Sequence, residues 1–300
     1  MILEFKNVEK SFGNKKVLKG VNFTAKSGVA NGYLGRNGSG KTTSFRILLD
    51  IFEPDKGEIL LDGKPLDHSK VKIGYLPEER GMYDGVGLVD QLTYFGMLKG
   101  MKKKAAQTEA KKWLEYFELE DSKQALKTLS KGNAQKIQII QSVMNDPDIL
   151  VFDEPFSGLD PVNVSKLKEI ITDFIKKDKL VIFSSHQMPV VETFCEDINI
   201  LEKGKITLSG NLDYIKKQLG HGKMILSVSG FEKEELLANL KSIPLGIEYS
   251  LVPEGVLLDF KEEGAKKELL AKLAGSSFNI EEFKLYKPTL EDIFKEQVGK

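Results

Sequence analysis

The sequence predicts an α/β fold with an all-helical insertion, followed by a smaller α+β domain. Three observations carry this prediction. The continuous apolar segments "DILVFDEP" and "LVIFSS" flank an amphipathic stretch, "VSKLKEIITDFIKK", which is typical of a buried parallel sheet with helices on both faces. A strand, a glycine-rich turn and a helix follow one another near residue 35. The last eighty residues read as β-α-β-β-α-β, which resembles a ferredoxin-like unit.

Length and composition narrow the class of protein. The chain has 300 residues, which suits about two domains of ~150 residues each. Its 41% hydrophobic and 29% charged residues exclude a disordered chain. Because 44 basic residues balance 44 acidic ones, no whole-molecule field attracts nucleic acid or an anionic membrane. The single cysteine, Cys195, indicates a reducing compartment. Glu4 and Lys6 argue against a signal peptide, and no run reaches the ~18 apolar residues of a membrane span.

The first 87 residues read mainly as strands. "ILEF", "GVNFTA" and "VANGYL" are short and rich in β-forming residues. The glycine-rich turn leads into an apolar-periodic helix, "SFRILLDIF", which we expect to be ended by Pro54. "GEILLDGKPL" then predicts a hairpin, and "KIGYLP" predicts another strand.

Residues 88–145 predict a helical subdomain. "LVDQLTYFGMLKG", "AQTEAKKWLEYFEL" and "NAQKIQIIQSVMN" all show helical spacing of apolar residues. Lys102, Lys103 and Lys104 open the second helix. We interpret them as a solvated helix start, because no aromatic residues interleave with them as in a nucleic-acid site.

A domain boundary is expected at Gly220, His221 and Gly222, after the closing hairpin "INILEKGKITLSG". The predicted domains are therefore residues 1–220 and 221–300. The second contains eleven lysines and fourteen acidic residues, and no cluster of catalytic residue types. We interpret it as a regulatory or interaction domain.

The strongest functional signal is "GRNGSGKTT", which fits G-x-x-x-x-G-K-[ST] between a strand and a helix. Its glycines let successive backbone N–H groups turn inward toward phosphate oxygens, and the following helix directs its positive end at the same anion. Lys41 adds a charge at the β- and γ-phosphates, and the Thr42 hydroxyl is a ligand for Mg²⁺. The phosphate-binding candidates are Gly35, Asn37, Gly38, Ser39, Gly40, Lys41, Thr42 and Thr43.

Two adjacent carboxylates end the apolar strand "ILVFDEP". Adjacent strand residues point to opposite sides, so Asp153 and Glu154 need not do the same work. Asp153 is placed to hold Mg²⁺, and Glu154 is placed to orient and deprotonate a water that attacks the γ-phosphate.

Four motifs in order resemble the ATP-binding subunits of ABC transporters: the phosphate loop, "LSKGNAQK", "DEPFSGLDP" and "SSH". The resemblance covers about residues 1–220 and implies a RecA-like P-loop NTPase domain with an antiparallel β subdomain and a helical subdomain. "GYLPEERGMY" and "PTLEDIF" look most like type 2 exporters of the sodium-efflux NatA-like group.

The resemblance implies a head-to-tail dimer that holds two ATP molecules at its interface. Ser130 and Gly132 of one copy would contact the γ-phosphate of the ATP on the other, and Asp160 would also reach across. His186 matches the switch histidine that donates to the γ-phosphate. Phe12 matches the aromatic residue that stacks on adenine; the alternative is a loop aromatic packed on its hairpin.

The sequence departs from the family pattern in three places. Lys131 and Asn133 replace a glycine and the glutamine of the usual LSGGQ. Glu78 replaces the Q-loop glutamine, where it could be a tighter metal ligand or point toward a membrane partner. Asn31 stands where an apolar residue is usual, so a buried amide there would need partners.

The predicted function is an ATP-hydrolysing motor subunit on the cytoplasmic face of the membrane. It would drive separate membrane subunits that export Na⁺, a drug or a peptide, with ATP and Mg²⁺ as cofactors. One alternative is a soluble ABC-type ATPase acting on ribosomes or DNA. Ribosome-associated relatives carry two motif sets and DNA-repair relatives carry long coiled coils, whereas this chain has one motif set and a short helical insertion. A small-molecule kinase ranks last, since "LSKGN" has no role in one.

Overall fold

The computed structural model describes residues 1–79, 81–119, 125–262, 264–276 and 278–299. The chain forms two compact units. The first contains Met1–Leu212 together with the residues from Phe294 onward, and the second contains Asp213–Ile293. The predicted boundary at Gly220 stays a prediction. The division between the two compact units lies earlier in the sequence, between Leu212 and Asp213, at the start of a helix that runs Leu212–Gly220.

The first unit contains ten strands and six helices within the described residues, besides a 3-10 turn at Leu126–Thr128. The strands are β1 (Ile2–Phe12), β2 (Lys15–Lys26), β3 (Ala30–Leu34), β4 (Lys56–Leu61), β5 (Lys64–Pro65), β6 (Ile73–Leu76), β7 (Ile149–Asp153), β8 (Leu180–Ser185), β9 (Asp197–Glu202) and β10 (Lys205–Asn211). The helices are α1 (Lys41–Leu48), α2 (Leu88–Leu98), α3 (Lys103–Tyr116), α4 (Lys131–Val143), α5 (Pro161–Lys176) and α6 (Met188–Glu192).

A six-stranded sheet forms the centre of this unit, in the order β10-β9-β3-β8-β7-β6. All its pairings are parallel except β10 with β9. Every residue of β3, β7 and β8 is buried, which explains the apolar runs of β7 and β8 up to their polar carboxyl ends. Because β7 and β8 are parallel with Asp153 opposite Ser184, their polar residues meet at one edge of the sheet.

The antiparallel sheet β2-β1-β4-β5 packs against one face of the central sheet. Their shared core contains Phe5 and Phe23 from the antiparallel sheet, Tyr33 from β3 and Phe45 from α1. The rings of Phe5 and Phe23 stack at 4.4 Å, and those of Phe23 and Tyr33 at 4.8 Å. The buried Tyr33 hydroxyl shares a 2.9 Å hydrogen bond with the Ser44 hydroxyl. This core therefore fixes the strand and the helix that flank the phosphate loop.

Helix α1 is shorter than the sequence predicts. It ends at Leu48, so the prediction that Pro54 ends it is wrong. Asp50 adopts φ of +58°, a left-handed conformation that turns the chain out of the helix. The amides of Ile51 and Phe52 both donate back to the Arg46 carbonyl, which closes the last turn before the proline is reached.

The predicted helical segment 88–145 contains α2, α3 and α4, and its residues 120–124 lie outside the described part of the chain. Lys103 begins α3, with Lys102 as its N-cap, so the three lysines open that helix as expected. The Ser130 hydroxyl caps α4 by accepting a hydrogen bond from the Asn133 amide at 3.2 Å.

Asn31 is buried in β3 and its amide is fully partnered. Its Nδ2 donates to the carbonyls of Lys26, Val29 and Val181, at 2.8, 3.1 and 2.9 Å. Its Oδ1 accepts from the Lys26 amide at 3.0 Å. The expectation that this amide would need partners is confirmed. It ties the end of β2 to β3 and β8.

The second unit has the predicted β-α-β-β-α-β order. This order is formed by β11 (Lys223–Ser229), α8 (Lys233–Lys241), β12 (Ile247–Val252), β13 (Gly255–Phe260), α9 (Ala265–Ala274) and β14 (Asn279–Leu285). Two helices flank it, α7 (Leu212–Gly220) and α10 (Leu290–Val298); Leu212 of α7 and the residues of α10 from Phe294 onward belong to the first unit. The sheet order β12-β13-β11-β14, antiparallel throughout, is that of a ferredoxin-like fold. Leu226, Leu240, Leu258 and Leu269 lie in its core.

Among the described residues, no helix is long and apolar enough to cross a membrane.

Candidate functional site

The phosphate loop connects β3 to α1, and only glycine fits at several of its positions. Gly38 and Gly40 have φ of +79° and +117°, which side chains rarely adopt. A Cβ at Gly35 would lie 2.4 Å from the Leu201 carbonyl oxygen, and one at Gly40 would lie 2.6 Å from Leu18 Cδ2. Backbone conformation therefore favours glycine at position 38, close packing favours it at position 35, and both favour it at position 40.

Lys41 begins α1 and its side chain is buried. Its Nζ donates to the Gly35 carbonyl at 2.8 Å and to the Arg36 carbonyl at 3.4 Å. The same Nζ lies 3.8 Å from Glu154 Oε1. The ammonium group is thus held over the loop, facing a carboxylate, in a position to bind an anion there.

Two of the three residues predicted to hold Mg²⁺, Thr42 and Asp153, are in contact, although they lie 111 positions apart in the sequence. Thr42 Oγ1 donates to Asp153 Oδ2 at 2.7 Å. The other carboxylate oxygen of Asp153 accepts from Ser184 Oγ at 2.6 Å, and the Ser184 hydroxyl also accepts from the Glu154 amide at 3.0 Å. The sequence pattern indicated no role for Ser184. Its only signal was its position at the end of an apolar strand, beside His186.

Glu154 lies just past the end of β7, in a left-handed conformation with φ of +53°. Such strain in a non-glycine residue is typical of functional sites. Its Oε2 lies 2.8 Å from His186 Nδ1 and accepts from the His186 amide at 3.2 Å. Its Oε1 is buried without a hydrogen-bond partner in the described structure. Glu154 therefore connects Lys41 to His186, whose own side chain is 55% exposed.

A cavity of ≈ 580 Å³ opens above the loop. Its lining includes Asn37, Gly38, Gly40, Lys41, Thr42, Thr43, Phe12, Glu78 and four lysines: Lys15, Lys16, Lys19 and Lys203. The volume is that of a small-molecule site. The basic side chains on one wall favour an anionic ligand.

Phe12 lies at the end of β1 and lines this cavity with a ring that is 44% exposed. One edge of the ring packs against Phe52 at 5.3 Å, and Lys10 Nζ lies 5.8 Å from the ring centre. The ring is therefore held by its neighbours and still presents surface to the cavity, which fits either of the two expected roles.

Glu78 lines the same cavity, two residues beyond the end of β6. Burial, together with the charges of Asp153 and Glu78, raises the pKa of nearby Tyr75 to about 12. This edge of the sheet therefore concentrates negative charge. Mg²⁺ prefers such oxygen ligands. Thr42 and Asp153 are the residues that could hold such an ion, which would supply positive charge beside the loop.

Ser130, Gly132 and Asp160 form a separate group on the surface. Ser130 and Asp160 are exposed N-caps of α4 and α5. Asp160 accepts from the Asn163 amide at 3.0 Å and from its Nδ2 at 2.6 Å, and these bonds hold the pKa of Asp160 below its usual value. A Cβ on Gly132 would lie 3.1 Å from the Gly158 carbonyl oxygen. None of the three is among the described residues that line the cavity.

Comparisons with known proteins agree with this architecture. Residues 18–157 match the ABC transporter family, and residues 210–298 match the C-terminal domain of DrrA1-3-like ATP-binding proteins. YhaQ of Bacillus subtilis, an uncharacterized ABC transporter ATP-binding protein, is 40% identical and covers 99% of each chain. A relative in Methanocaldococcus jannaschii with the same kind of name is also 40% identical, over 86% of this chain and 98% of its own. The linearmycin resistance ATP-binding protein of Bacillus subtilis is 29% identical, over 100% and 99%.

Solved structures lead to the same family. The structure of an ATP-binding subunit of an ABC transporter has a TM-score of 0.68 and 28% identity, covering 80% of this chain and 100% of that one. The dimeric structure of a bacterial ABC transporter cassette has a TM-score of 0.63 and covers 70% and 98%; at 24% identity it shows the fold alone. Since relatives with 40% identity cover nearly the whole chain, this protein belongs to the ATP-binding subunits of ABC transporters and is an ATPase.

Proposed function

We propose that the protein is the ATP-hydrolysing motor of an exporter, working as a dimer with separate membrane subunits. One observation carries the proposal: Glu154 lies between Lys41 and His186, beside the Thr42–Asp153 pair. This places a carboxylate with a free oxygen next to the groups that bind a terminal phosphate.

In this proposal each residue has one task in hydrolysis. The loop amides and Lys41 bind the β- and γ-phosphates, and His186 donates to the γ-phosphate. Glu154 Oε1, which has no hydrogen-bond partner in the described structure, orients the attacking water and accepts its proton. Thr42 and Asp153 hold Mg²⁺, which when bound neutralises charge on the phosphate oxygens. Phe12 stacks on adenine, and Glu78 adds a carboxylate near the metal.

The dimer would complete the site from a second copy. Ser130, Gly132 and Asp160 lie outside the cavity lining, yet a hydroxyl and backbone amides at the start of α4 can form an anion site. Across a head-to-tail interface they would meet the γ-phosphate on the partner's loop. The dimeric cassette structure supports this arrangement by its fold.

An exposed apolar surface on α2 and the loop that precedes it supports a membrane partner. It consists of Tyr83, Val86, Tyr94, Met97 and Leu98, each between 38% and 65% exposed. Tyr94, Met97 and Leu98 lie at helical spacing on α2, so they share a face of that helix. Exposed apolar patches of this kind mark protein interaction sites. We assign this surface to the permease subunit, which would hold the motor at the inner face of the membrane.

Export is favoured by the names of two relatives. One is the linearmycin resistance ATP-binding protein, aligned over the whole chain. The other, in Burkholderia lata, is a Nod factor export ATP-binding protein, 34% identical over 69% of this chain and 70% of its own. The cargo of this protein is proposed only as Na⁺, a drug or a peptide. The narrower NatA-like resemblance rests on the "PTLEDIF" and "GYLPEERGMY" segments.

The test is purification of the tagged chain from detergent-solubilised membranes of its source cell. We expect a polytopic membrane protein to co-purify in fixed ratio, and ATPase activity to be present in the complex. A Tyr94→Ala/Leu98→Ala variant should lose the membrane protein and keep ATP binding. Ile2→Ala/Ile51→Ala is the matched control, because those residues are also exposed and apolar, at 44% and 56%.

Other outcomes would redirect the proposal. Recovery with ribosomes or nucleic acid instead of a membrane protein would favour the soluble ATPase and contradict the transport role. Loss of the membrane partner in the control variant as well would contradict the assignment of the apolar surface.

A further inference from the structure

A second cavity, of ≈ 760 Å³, lies within the C-terminal unit. It forms at one end of the sheet, where β11 begins and where β13 and β14 end. The register pairs Met224 of β11 with both Leu258 and Leu285, which brings these strand ends together. α7 and the first turn of α9 complete the wall. The volume falls within the usual range for small-molecule sites.

The charge of this wall is opposite to that of its surroundings. Residues 213–293 contain eleven lysines and fourteen acidic residues. Six of those lysines line the cavity, but among the described acidic residues only Asp213 and Glu262 do. The lining lysines are Lys216, Lys217, Lys223, Lys261, Lys266 and Lys287. A mildly acidic domain therefore presents one strongly basic concavity, which attracts anions.

Several of these cations have no acidic partner within the described part of the chain. Lys261 is paired with Asp259 at 2.9 Å and with Glu248 at 3.4 Å. By contrast, Lys217, Lys223 and Lys287 form no ion pair with the described residues of the chain. Gathering unpaired like charges raises the free energy of the folded state, and a bound anion would lower it.

The floor of the cavity is apolar. Met224, Phe260, Leu285 and Tyr286 line it beside the lysines. Leu285 is 63% exposed, at the end of the edge strand β14, so it presents apolar surface to the cavity. The wall thus suits a ligand with an anionic group and an apolar group.

We propose that this cavity binds a small, soluble organic anion that carries an acyl or aromatic group, such as an organic phosphate or carboxylate. The lysines bind the anionic group and the floor takes the apolar part. This assigns the C-terminal unit a ligand of its own, chemically distinct from the nucleotide of the first unit. Nothing in the proposal depends on the identity of the exported cargo.

The test is isothermal titration calorimetry on the full chain saturated with Mg·ADP, so that the phosphate loop is already filled. Octyl phosphate below its micelle concentration is the probe. We expect one molecule to bind per chain, at least about tenfold tighter than inorganic phosphate or octylammonium. Only octyl phosphate has both a phosphate group for the lysines and an octyl chain for the apolar floor. The variant Lys217→Gln/Lys287→Gln should bind it about tenfold more weakly, since two exposed cations are lost.

The matched control is Lys241→Gln/Lys267→Gln, which removes the same charge from the same domain outside the cavity. It should bind octyl phosphate as the unaltered chain does. Equal weakening in both variants, or equal binding of octylammonium or inorganic phosphate, would overturn the proposal. A final arm uses vesicles of phosphatidylcholine with phosphatidic acid. If these bind the chain through Lys217 and Lys287 while octyl phosphate does not, the ligand is a lipid surface and the proposal is wrong.

Discussion

The two groups of residues proposed for the nucleotide site are built in opposite ways. Lys41, Asp153, Glu154 and Ser184 are buried and linked by short contacts, and each is held by at least one of the others. Ser130 and Asp160 are exposed, and each accepts a hydrogen bond from a backbone amide in the first turn of the helix that it caps. The first group is complete within one chain. The second is shaped by local capping and has no phosphate loop in front of it.

This difference shows what fixes the positions of the atoms in each group. A buried network holds its atoms against solvent and can place a proton acceptor within reach of water. An exposed helix start becomes a selective anion site only when a second surface excludes water from it. We therefore expect substitutions in the buried group to impair the site within each monomer. Substitutions in the exposed group should impair function only in the dimer.

The largest expected effect is that of Glu154→Gln. Removing the proton acceptor should lower ATP hydrolysis by ~10²–10⁴-fold, while ATP still binds because the loop and Lys41 remain. Steady-state phosphate release and nucleotide titration measure the two separately. Lys41→Ala is the contrasting variant and should lose both activities. Hydrolysis near the unaltered rate in Glu154→Gln would show that another residue is the base.

The next effect concerns the exposed group. Ser130→Ala should lower ATP hydrolysis by ~10²-fold, as expected for loss of one donor to a developing charge, with nucleotide affinity of the isolated monomer unchanged. Loss of the cap alone costs only about 1 kcal/mol of stability. Ser130→Thr keeps both the cap and the hydroxyl and should restore most of the rate. If Ser130→Ala also weakened nucleotide binding by the monomer, the contrast between the two groups would fail.

Ser184→Ala tests the residue that joins the two carboxylates. Its loss leaves Asp153 Oδ1 and the Glu154 amide without their partner, which should cost about 1–3 kcal/mol in the free energy of unfolding. We also expect a higher Mg²⁺ concentration for half-maximal ATPase activity, because Asp153 is less firmly oriented. Ser185→Ala is the control: this serine is equally buried, but its hydroxyl accepts from the Gln187 amide instead. An unchanged Mg²⁺ dependence in Ser184→Ala would contradict the positioning role.

The smallest effect lies away from both groups, at Lys99 after the end of α2. Burial lowers the pKa of Lys99 to about 8, although its Nζ donates to the Gln141 carbonyl at 2.8 Å. The unfolded chain therefore holds this proton more tightly than the folded one. The free energy of unfolding should gain a contribution as pH rises from about 8 toward the normal lysine range. Urea denaturation at several pH values should show this rise reduced in Lys99→Met. Identical pH profiles of stability for Lys99→Met and the unaltered chain would contradict this role of Lys99.

Local chemistry made much of this protein predictable. The phosphate loop depends on backbone angles and close approaches that only glycine allows, so its motif identified Lys41 and Thr42 directly. The strand β7 was evident because a strand covered on both faces must be apolar throughout. The order of elements in the C-terminal unit followed from changes in apolar periodicity, and its sheet has the expected ferredoxin-like order.

Three features were decided only by tertiary structure. Ser184 bridges Asp153 and Glu154 because β7 and β8 are neighbours in register, and no local pattern encodes strand order. Helix α1 stops at Leu48 because Asp50 turns the chain and Arg46 accepts two returning amides, which overrides its apolar periodicity. The basic cavity gathers lysines scattered from position 216 to position 287 in a mildly acidic domain. The sequence by itself thus determined the elements and the motifs that depend on local backbone geometry. Contacts between residues that are distant in the sequence depended on how those elements pack, because packing decides which side chains line the same site or cavity.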